Sequence, residues 1–280
     1  MSAIHLDNRL VHYEVFGRGQ PIVFLHSWLG SWRYWVSTMD VVAERYRAYA
    51  LDFWGFGESD RRGSDFNISS YVDMLFRFVE KMGITRATLV GHGMGGMVAI
   101  RAARERPEHF PRVMTVATPL YGEALAGHLK SGAFSRLLGL NATTNVWLKL
   151  LKSVPIADPE VHQELIEDTE SLDERVLTSV QDSLLDTDLR SALAALPVPL
   201  LAVYGGQDRI VTVEHSEMLE SLEREGRPIK RLTLPRASHF PFLEQSNTFS
   251  RLLLDFLTTD GANVEVKEEW RRRVSQREYL

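Results

Sequence analysis

Residues 87–106 read ATLVGHGMGGMVAIRAARER, and this stretch decides the fold. The apolar run at residues 87–90 predicts a buried strand, and residues 95–106 have the apolar spacing of an amphipathic helix. Between them, residues 91–96 include four glycines, which permit a sharp reversal of the backbone. The sequence therefore predicts a strand, a tight turn centred on Gly93 and a helix.

Predicted strands and helices alternate along the rest of the chain. Short or alternating apolar runs predict strands at residues 11–16, 22–25, 48–51, 88–90, 113–117, 200–204 and 229–234. Amphipathic stretches predict helices at residues 32–45, 69–82, 95–106, 213–225 and 246–257. This alternation is typical of an α/β fold with a mostly parallel central sheet flanked by helices. We expect an antiparallel hairpin at its start, joining residues 11–16 to residues 22–25 through Gly17, Arg18 and Gly19.

The alternation stops between residues 119 and 196, where the pattern is helical and no strand is evident. Candidate helices lie at residues 133–140, 146–151, 158–167, 172–185 and 189–196. We interpret residues 119–196 as a helical lid inserted between a first core part, residues 1–118, and a second, residues 197–258. Apolar lid residues such as Phe134, Trp147 and Leu151 either line a pocket or form the lid's own core.

Composition narrows the class of protein. With 280 residues, 44% apolar and 25% charged, the chain has the composition of an ordinary globular protein. No apolar run is long enough to cross a membrane, and the N-terminus lacks the pattern of a signal peptide, so we expect a cytoplasmic protein without membrane contact. A net charge of −5 without charged blocks gives no reason to expect nucleic acid, and the histidines show no metal-ligand spacing. We expect a monomer or homodimer.

Four sets of motifs lie at the ends of predicted strands. They are FLHSW at residues 24–28, DFWGFGESD at residues 52–60, GHGMGG at residues 91–96, and the pair YGGQDRIV at residues 204–211 with ASHFPFLEQ at residues 237–245. Together, over roughly residues 4–258, they resemble the α/β-hydrolase superfamily. The similar branch is that of lidded esterases, C–C bond hydrolases, haloperoxidase-like enzymes and epoxide hydrolases. Its triad follows the order nucleophile, acid, histidine.

The resemblance assigns a role to each part of the site. Gly93 stands where these enzymes carry a nucleophilic serine, at the centre of Gly-x-Ser-x-Gly. His239 matches the general base, and Asp208 matches the carboxylate that orients the imidazole. The backbone N–H groups of Trp28 and Met94 match the oxyanion hole.

Other residues of these motifs are candidates for the substrate pocket. His26, Ser27, Trp54 and Phe240 follow strand ends or adjoin the predicted triad, and we expect them beside the substrate. Family members usually carry His-Gly where this chain has His26-Ser27, so Ser27 departs from the pattern. The turn at residues 52–60 is interpreted as structural rather than catalytic.

Residues 91–96 also spell the dinucleotide-binding pattern G-x-G-x-x-G. That interpretation requires an acidic residue about twenty positions further on, at the end of the next strand. The segment there, VMTVATP at residues 113–119, contains none. We therefore expect no dinucleotide here. No other motif indicates a cofactor, and the histidine spacing indicates no metal, so we expect neither.

Gly93 leaves the function open between two classes. The first is a hydrolase lineage acting on a small apolar ester, lactone or related carbonyl compound, inactive or strongly impaired in acyl-enzyme chemistry because the serine is missing. In that case a water held by His239 is a possible attacking group, and restoring serine by Gly93→Ser is expected to raise turnover. The second is a natural pseudo-hydrolase that binds or senses a small apolar ligand. Glycine at this position is compatible with an engineered knockout and with a natural loss.

The C-terminal extension, residues 259–280, follows the last predicted core helix. Val266, Trp270 and Val274 fall on one face of a helix at a spacing of four residues. Docking on the chain's own core, contact with a second subunit and disorder all remain open.

Overall fold

A central sheet organises the protein in the computed structural model, which describes residues 2–122, 125, 147–149, 151–154, 156, 159–211 and 216–259. Within this part of the chain, eight strands lie in the order β1-β2-β4-β3-β5-β6-β7-β8. They are β1 Ser2–Leu6, β2 Arg9–Gly17, β3 Gln20–Leu25, β4 Tyr46–Leu51, β5 Thr88–His92, β6 Arg112–Val116, β7 Leu200–Gly205 and β8 Ile229–Leu234. Pairing is antiparallel for β1 with β2 and for β2 with β4, and parallel throughout the rest. The predicted mostly parallel sheet is confirmed.

The predicted hairpin between residues 11–16 and 22–25 is wrong. β2 pairs with β1 and β4, whereas β3 lies between β4 and β5. The reason is burial: residues 22–25 of β3 are wholly buried, so this apolar strand needs a neighbour on each side. The real hairpin joins β1 to β2 through Asp7 and Asn8, whose φ angles of +50° and +63° suit a tight turn. The short edge strand β1 was not predicted.

Helices cover the sheet near the predicted positions. They are α1 Val36–Val42, α2 Ile68–Lys81, α3 Met94–Glu105, α4 Pro159–Glu170, α5 Glu174–Asp186, α6 Arg190–Ala194, α7 Glu217–Arg224, α8 Pro241–Glu244 and α9 Ser246–Thr258. The helix expected at residues 32–45 is divided into a 3₁₀ turn, Trp32–Trp35, and α1. Ser31 caps that turn by accepting a hydrogen bond from the Arg33 N–H.

The described part of the insertion between β6 and β7 is mainly helical, with one isolated antiparallel bridge between Tyr121 and Asp188. It contributes α4, α5 and α6, together with helical residues at 147–149 and 151–153. The helix expected at residues 133–140, including Phe134, lies outside the described residues, as does the C-terminal extension from residue 260 onward. In the described chain, no helix has the length and apolar character needed to cross a membrane.

A buried ion pair joins β2 to the loop after β4. His12 Nδ1 donates to Asp52 Oδ2 at 2.8 Å, and Asp52 Oδ1 accepts the N–H of Trp32 at 2.7 Å. Burial disfavours the charged imidazole, but the carboxylate of Asp52, aided by those of Glu58 and Glu14, outweighs it and raises the pKa of His12 above the usual 6.5. The turn at residues 52–60 is thus built around a structural carboxylate.

This pair predicts a fall in stability with rising pH. A histidine whose pKa is raised by folding stabilises the native state below its unfolded pKa, and this contribution is lost as the pH rises through the folded pKa. Between about pH 6 and about pH 9, the Tm of the parent should fall more than that of His12→Gln, which cannot titrate. Parallel Tm profiles for the two proteins would contradict the prediction.

Candidate active site

The carboxyl ends of the parallel strands gather the predicted site at one edge of the sheet. Ser27 follows β3, Gly93 follows β5, Asp208 follows β7 and His239 follows β8. Residues from four distant parts of the sequence therefore converge where α/β sheets ordinarily bind ligands.

Gly93 occupies the sharp turn between β5 and α3, with φ +50° and ψ −113°. A residue with a side chain pays about 1–3 kcal/mol for such a conformation, and glycine avoids that strain. The turn is held by a hydrogen bond from the Gly93 N–H to the Val116 carbonyl at 2.9 Å. Met94, the next residue, begins α3, so its N–H belongs to the positive end of that helix.

Ser27 fills the space in front of Gly93. A Cβ placed on Gly93 would lie 2.1 Å from Ser27 Oγ and 3.0 Å from Ser27 Cβ. Nonbonded atoms do not approach as closely as the first of these distances. The hydroxyl therefore lies inside the volume that a side chain at position 93 would occupy; we call the turn at Gly93 the elbow. The N–H of Met94 donates to the same Ser27 Oγ at 3.4 Å.

Asp208 and His239 form a buried, hydrogen-bonded pair. The imidazole Nδ1–H donates to Asp208 Oδ2 at 2.8 Å. The other oxygen, Oδ1, accepts the N–H groups of Ile210 and Val211 at 2.7 and 3.1 Å. The carboxylate is thereby held in one orientation, and a neutral His239 must present its lone pair at Nε2.

Two features hold the His239 loop against the end of β7. At Gly205 a Cβ would lie 1.9 Å from the Ser238 carbonyl oxygen, so only glycine allows the two backbones to approach this closely. The carboxylate of Glu244 accepts hydrogen bonds from the backbone and hydroxyl of Ser238 and from the Phe240 N–H. The residues on both sides of His239 are therefore anchored.

Aromatic rings enclose the imidazole of His239. The Trp147 ring meets it edge-on with centroids 4.9 Å apart, and Phe240 packs at 5.3 Å. His92 Nε2–H donates to the His239 carbonyl at 3.0 Å, and burial lowers the pKa of His92 so that it stays neutral. In the described part of the chain, the buried Nε2 of His239 has no hydrogen-bond partner. Its lone pair is thus available to a bound molecule.

The loop that carries Trp28 is a tight turn. The Gly30 N–H donates to the Ser27 carbonyl at 3.2 Å, and Leu29 adopts φ +63°. The carbonyl of Leu29 accepts the hydroxyls of Thr169 at 2.9 Å and Tyr34 at 3.3 Å. Helix α4 therefore supports the backbone next to Trp28.

Tyr34 links this loop to the ring above His239. Its hydroxyl accepts the indole N–H of Trp147 at 3.2 Å, and burial raises the pKa of Tyr34, which keeps the phenol neutral. Tyr34, Thr169 and Glu244 were not among the sequence candidates. Glu244 lies within the motif at residues 237–245, but its contacts with Ser238 and Phe240 form only when the chain turns back at this point. Nothing in the sequence marks Tyr34 or Thr169 as part of the site.

Several residues predicted to line the pocket contact other parts of the protein instead. His26 is fully buried, with Nδ1–H donating to the Ser27 carbonyl at 2.7 Å and Nε2 accepting the Phe53 N–H at 3.0 Å, so neither nitrogen faces a ligand. Burial also lowers the pKa of His26.

Two other residues predicted to line the pocket also make different contacts. Trp54 stacks under the Arg9 guanidinium, whose central carbon lies 4.1 Å from the ring centroid. Leu151 is fully buried in the core, and its carbonyl accepts His162 Nε2–H at 2.9 Å.

A cavity of about 650 Å³ reaches the Asp208–His239 pair. Its lining also includes Ser153 from the insertion and the exposed residues Gln207 and Arg209, where it opens to solvent. No group of three or more histidine or carboxylate side chains suited to a metal ion occurs in the described segments.

Comparison with known proteins shows the family to which this chain belongs. The chain matches the alpha/beta hydrolase family over residues 22–251 and belongs to it. It is 30% identical over 268 residues to the pimeloyl-[acyl-carrier protein] methyl ester esterase of Yersinia pseudotuberculosis, covering 88% of this chain and 96% of that one. The superfamily resemblance of the four motifs is confirmed.

Two further similarities extend the comparison. The dihydrolipoyllysine-residue acetyltransferase component of the acetoin cleaving system of Pseudomonas putida is 28% identical over 257 residues, and this chain spans only 65% of its length. The enol-lactonase of Burkholderia xenovorans superposes with a TM-score of 0.77 at 20% identity, covering 92% of this chain and all of that one. The latter similarity establishes the shared fold.

Proposed function

We propose that this protein hydrolyses a small, largely apolar ester or lactone, with His239 as the general base. The observation that carries the proposal is the buried Nδ1–H to Asp208 contact of 2.8 Å, together with the unpartnered Nε2. A base held in this way takes a proton from the attacking group and returns it to the leaving group. Asp208 fixes the tautomer and stabilises the imidazolium that forms.

The substrate class is supported by the surroundings and by the relatives. Trp147 and Phe240 surround the base with apolar surface, which favours an uncharged substrate. The compared proteins include a methyl ester esterase and an enol-lactonase, and these names indicate an ester and a lactone as their substrates. In this proposal the helices of the insertion act as a lid, and the N–H groups of Trp28 and Met94 stabilise the oxyanion.

Gly93 bears on the rate rather than on the class of reaction. Without a hydroxyl at this position, no acyl-enzyme forms at the elbow. In a serine protease, loss of the nucleophile lowers turnover by roughly 10⁶, while about 10³–10⁴ over water remains. We therefore expect slow hydrolysis with the base still in use.

The test is hydrolysis of short and medium acyl p-nitrophenyl esters and of simple lactones by the parent and by His239→Ala. Removal of the base should lower kcat/KM by about 10²–10⁴. His109→Ala serves as the matched control, because His109 lies outside the site and pairs with Glu108 at the surface. Its activity should equal that of the parent.

Equal rates for the parent and His239→Ala would overturn the hydrolase proposal. The remaining candidate would then be the ligand-binding protein considered from the sequence. Calorimetry could measure the binding of an ester analogue to this protein. Binding without turnover, weakened in a variant whose larger side chains narrow the cavity, would support that alternative.

A further inference from the structure

We propose that Ser27 is the nucleophile of this site, which deepens and rests on the proposed hydrolase function. In the family pattern, glycine stands at the position of Ser27 and serine at that of Gly93, and here the two residue types are exchanged. Ser27 Oγ lies 2.1 Å from where the elbow Cβ would be. The hydroxyl that the elbow lacks is thus supplied to the same volume by the neighbouring loop.

The position of Ser27 is fixed by its own backbone. Its carbonyl accepts the Nδ1–H of His26 at 2.7 Å and the N–H of Gly30 at 3.2 Å. Both partners are themselves buried, and Ser27 is only 3% exposed. A hydroxyl held in this way loses little conformational freedom on reaching a transition state.

The electrostatic surroundings favour negative charge on Ser27 Oγ. It accepts the N–H of Met94, the first residue of the twelve-residue helix α3, at 3.4 Å. The positive end of a helix stabilises a developing oxyanion. The bond is long and therefore weak, but it still occupies this N–H in part, so the parent has a less effective oxyanion hole than a site with its serine at position 93.

The exchange preserves the composition of the oxyanion hole. Its predicted donors are the N–H groups of Trp28 and Met94, which directly follow Ser27 and Gly93. Moving the serine from one position to the other leaves the same pair of donors, one of them again adjacent to the nucleophile.

The chemical steps balance as in other acyl-transfer hydrolases. Ser27 Oγ and His239 Nε2 are not hydrogen-bonded to each other in the described residues, so the step includes their approach or one bridging water. Ser27 Oγ attacks the carbonyl carbon, its proton passes to His239 Nε2, and the carbonyl π electrons move to the oxygen in the hole. The bond to the leaving oxygen then breaks, and His239 returns the proton to that oxygen. Water attacks the acyl-serine ester and gives a proton to His239, which protonates Ser27 Oγ as the product acid departs.

Covalent labelling locates the nucleophile directly. A fluorophosphonate probe replaces fluoride at phosphorus with the attacking serine oxygen, and peptide mass spectrometry identifies the modified residue. We expect the adduct on Ser27, loss of labelling in Ser27→Gly, and at least tenfold slower labelling in His239→Ala. Ser37→Ala, which changes an exposed serine of α1, should label as the parent does.

Kinetics provide the second measurement. Ser27→Gly should lower ester turnover at least about 10³-fold with its melting curve retained, since it restores the residue usual in the family. Absence of an adduct on Ser27, or unchanged turnover in Ser27→Gly, would overturn the inference. If the parent still hydrolysed esters through His239 in that case, a water would be the attacking group and the proposed function would stand.

Discussion

The double variant Ser27→Gly/Gly93→Ser should hydrolyse esters at least about 10²-fold faster than the parent. In the parent, Ser27 Oγ takes the hydrogen bond of the Met94 N–H, one of the two proposed oxyanion donors. Placing the hydroxyl on the turn and glycine at position 27 frees this donor. Loss of one such donor lowers kcat by about 10²–10³ in a well-studied protease, which sets the scale of the expected gain. Steady-state kinetics on p-nitrophenyl acetate and butyrate measure it.

The single variant Gly93→Ser should hydrolyse esters at least tenfold more slowly than the double variant Ser27→Gly/Gly93→Ser. Its new Cβ would lie 2.1 Å from Ser27 Oγ, so the serine of one loop must displace that of the other. The matched control is Ser27→Gly/Gly93→Ala, which carries the same strained backbone without a nucleophile. Both double variants should lose about 1–3 kcal/mol in the free energy of unfolding, and only the one with serine should gain activity. Equal activity of the single and double serine variants would show that the Ser27 hydroxyl does not obstruct the elbow.

Asp208→Asn should lower kcat by about 10²–10⁴ while leaving the fold intact. The amide oxygen can still accept the N–H groups of Ile210 and Val211. The amide NH₂ cannot accept Nδ1–H, so His239 is driven to the tautomer with its proton on Nε2 and cannot act as a base. In a serine protease the corresponding change costs about 10⁴ in kcat.

Asp40→Asn on the exposed face of α1 provides the control for this change. Circular dichroism and thermal melting should show all three proteins folded alike. A kcat for Asp208→Asn within threefold of the parent would mean that the carboxylate does not orient the base, and the proposed mechanism would fail.

The sequence predicted those features that depend on local pattern. Gly93 and His239 follow apolar strands, and strand ends in a parallel sheet meet at one edge, so their proximity follows from the order of elements alone. The hairpin prediction failed because pairing is not local: β2 and β3 are adjacent in sequence, yet β4, which comes later, separates them. Burial of β3 on both faces, visible in its apolar run, was the better guide.

Side-chain contacts between distant residues could not be predicted. The contact of Ser27 with the Gly93 turn joins residues 66 positions apart, counted as 93 minus 27. Its only signal in the sequence was the coincidence of two departures from the family pattern, a serine where glycine is usual and a glycine where serine is usual. Tyr34 and Thr169 are ordinary buried residues in sequence, and only the folded chain brings their hydroxyls to the Leu29 carbonyl.

Two hydrogen bonds attach α4 to the loop of Trp28. Thr169 donates to the Leu29 carbonyl at 2.9 Å, and Asp168 accepts the Ser31 hydroxyl at 2.5 Å. Any movement of α4 away from this loop must break these bonds and release the segment that bears one of the two proposed oxyanion donors. In the proposed mechanism, residues 168 and 169 therefore hold the loop that bears the Trp28 N–H, and their loss would weaken the polarisation of the substrate carbonyl.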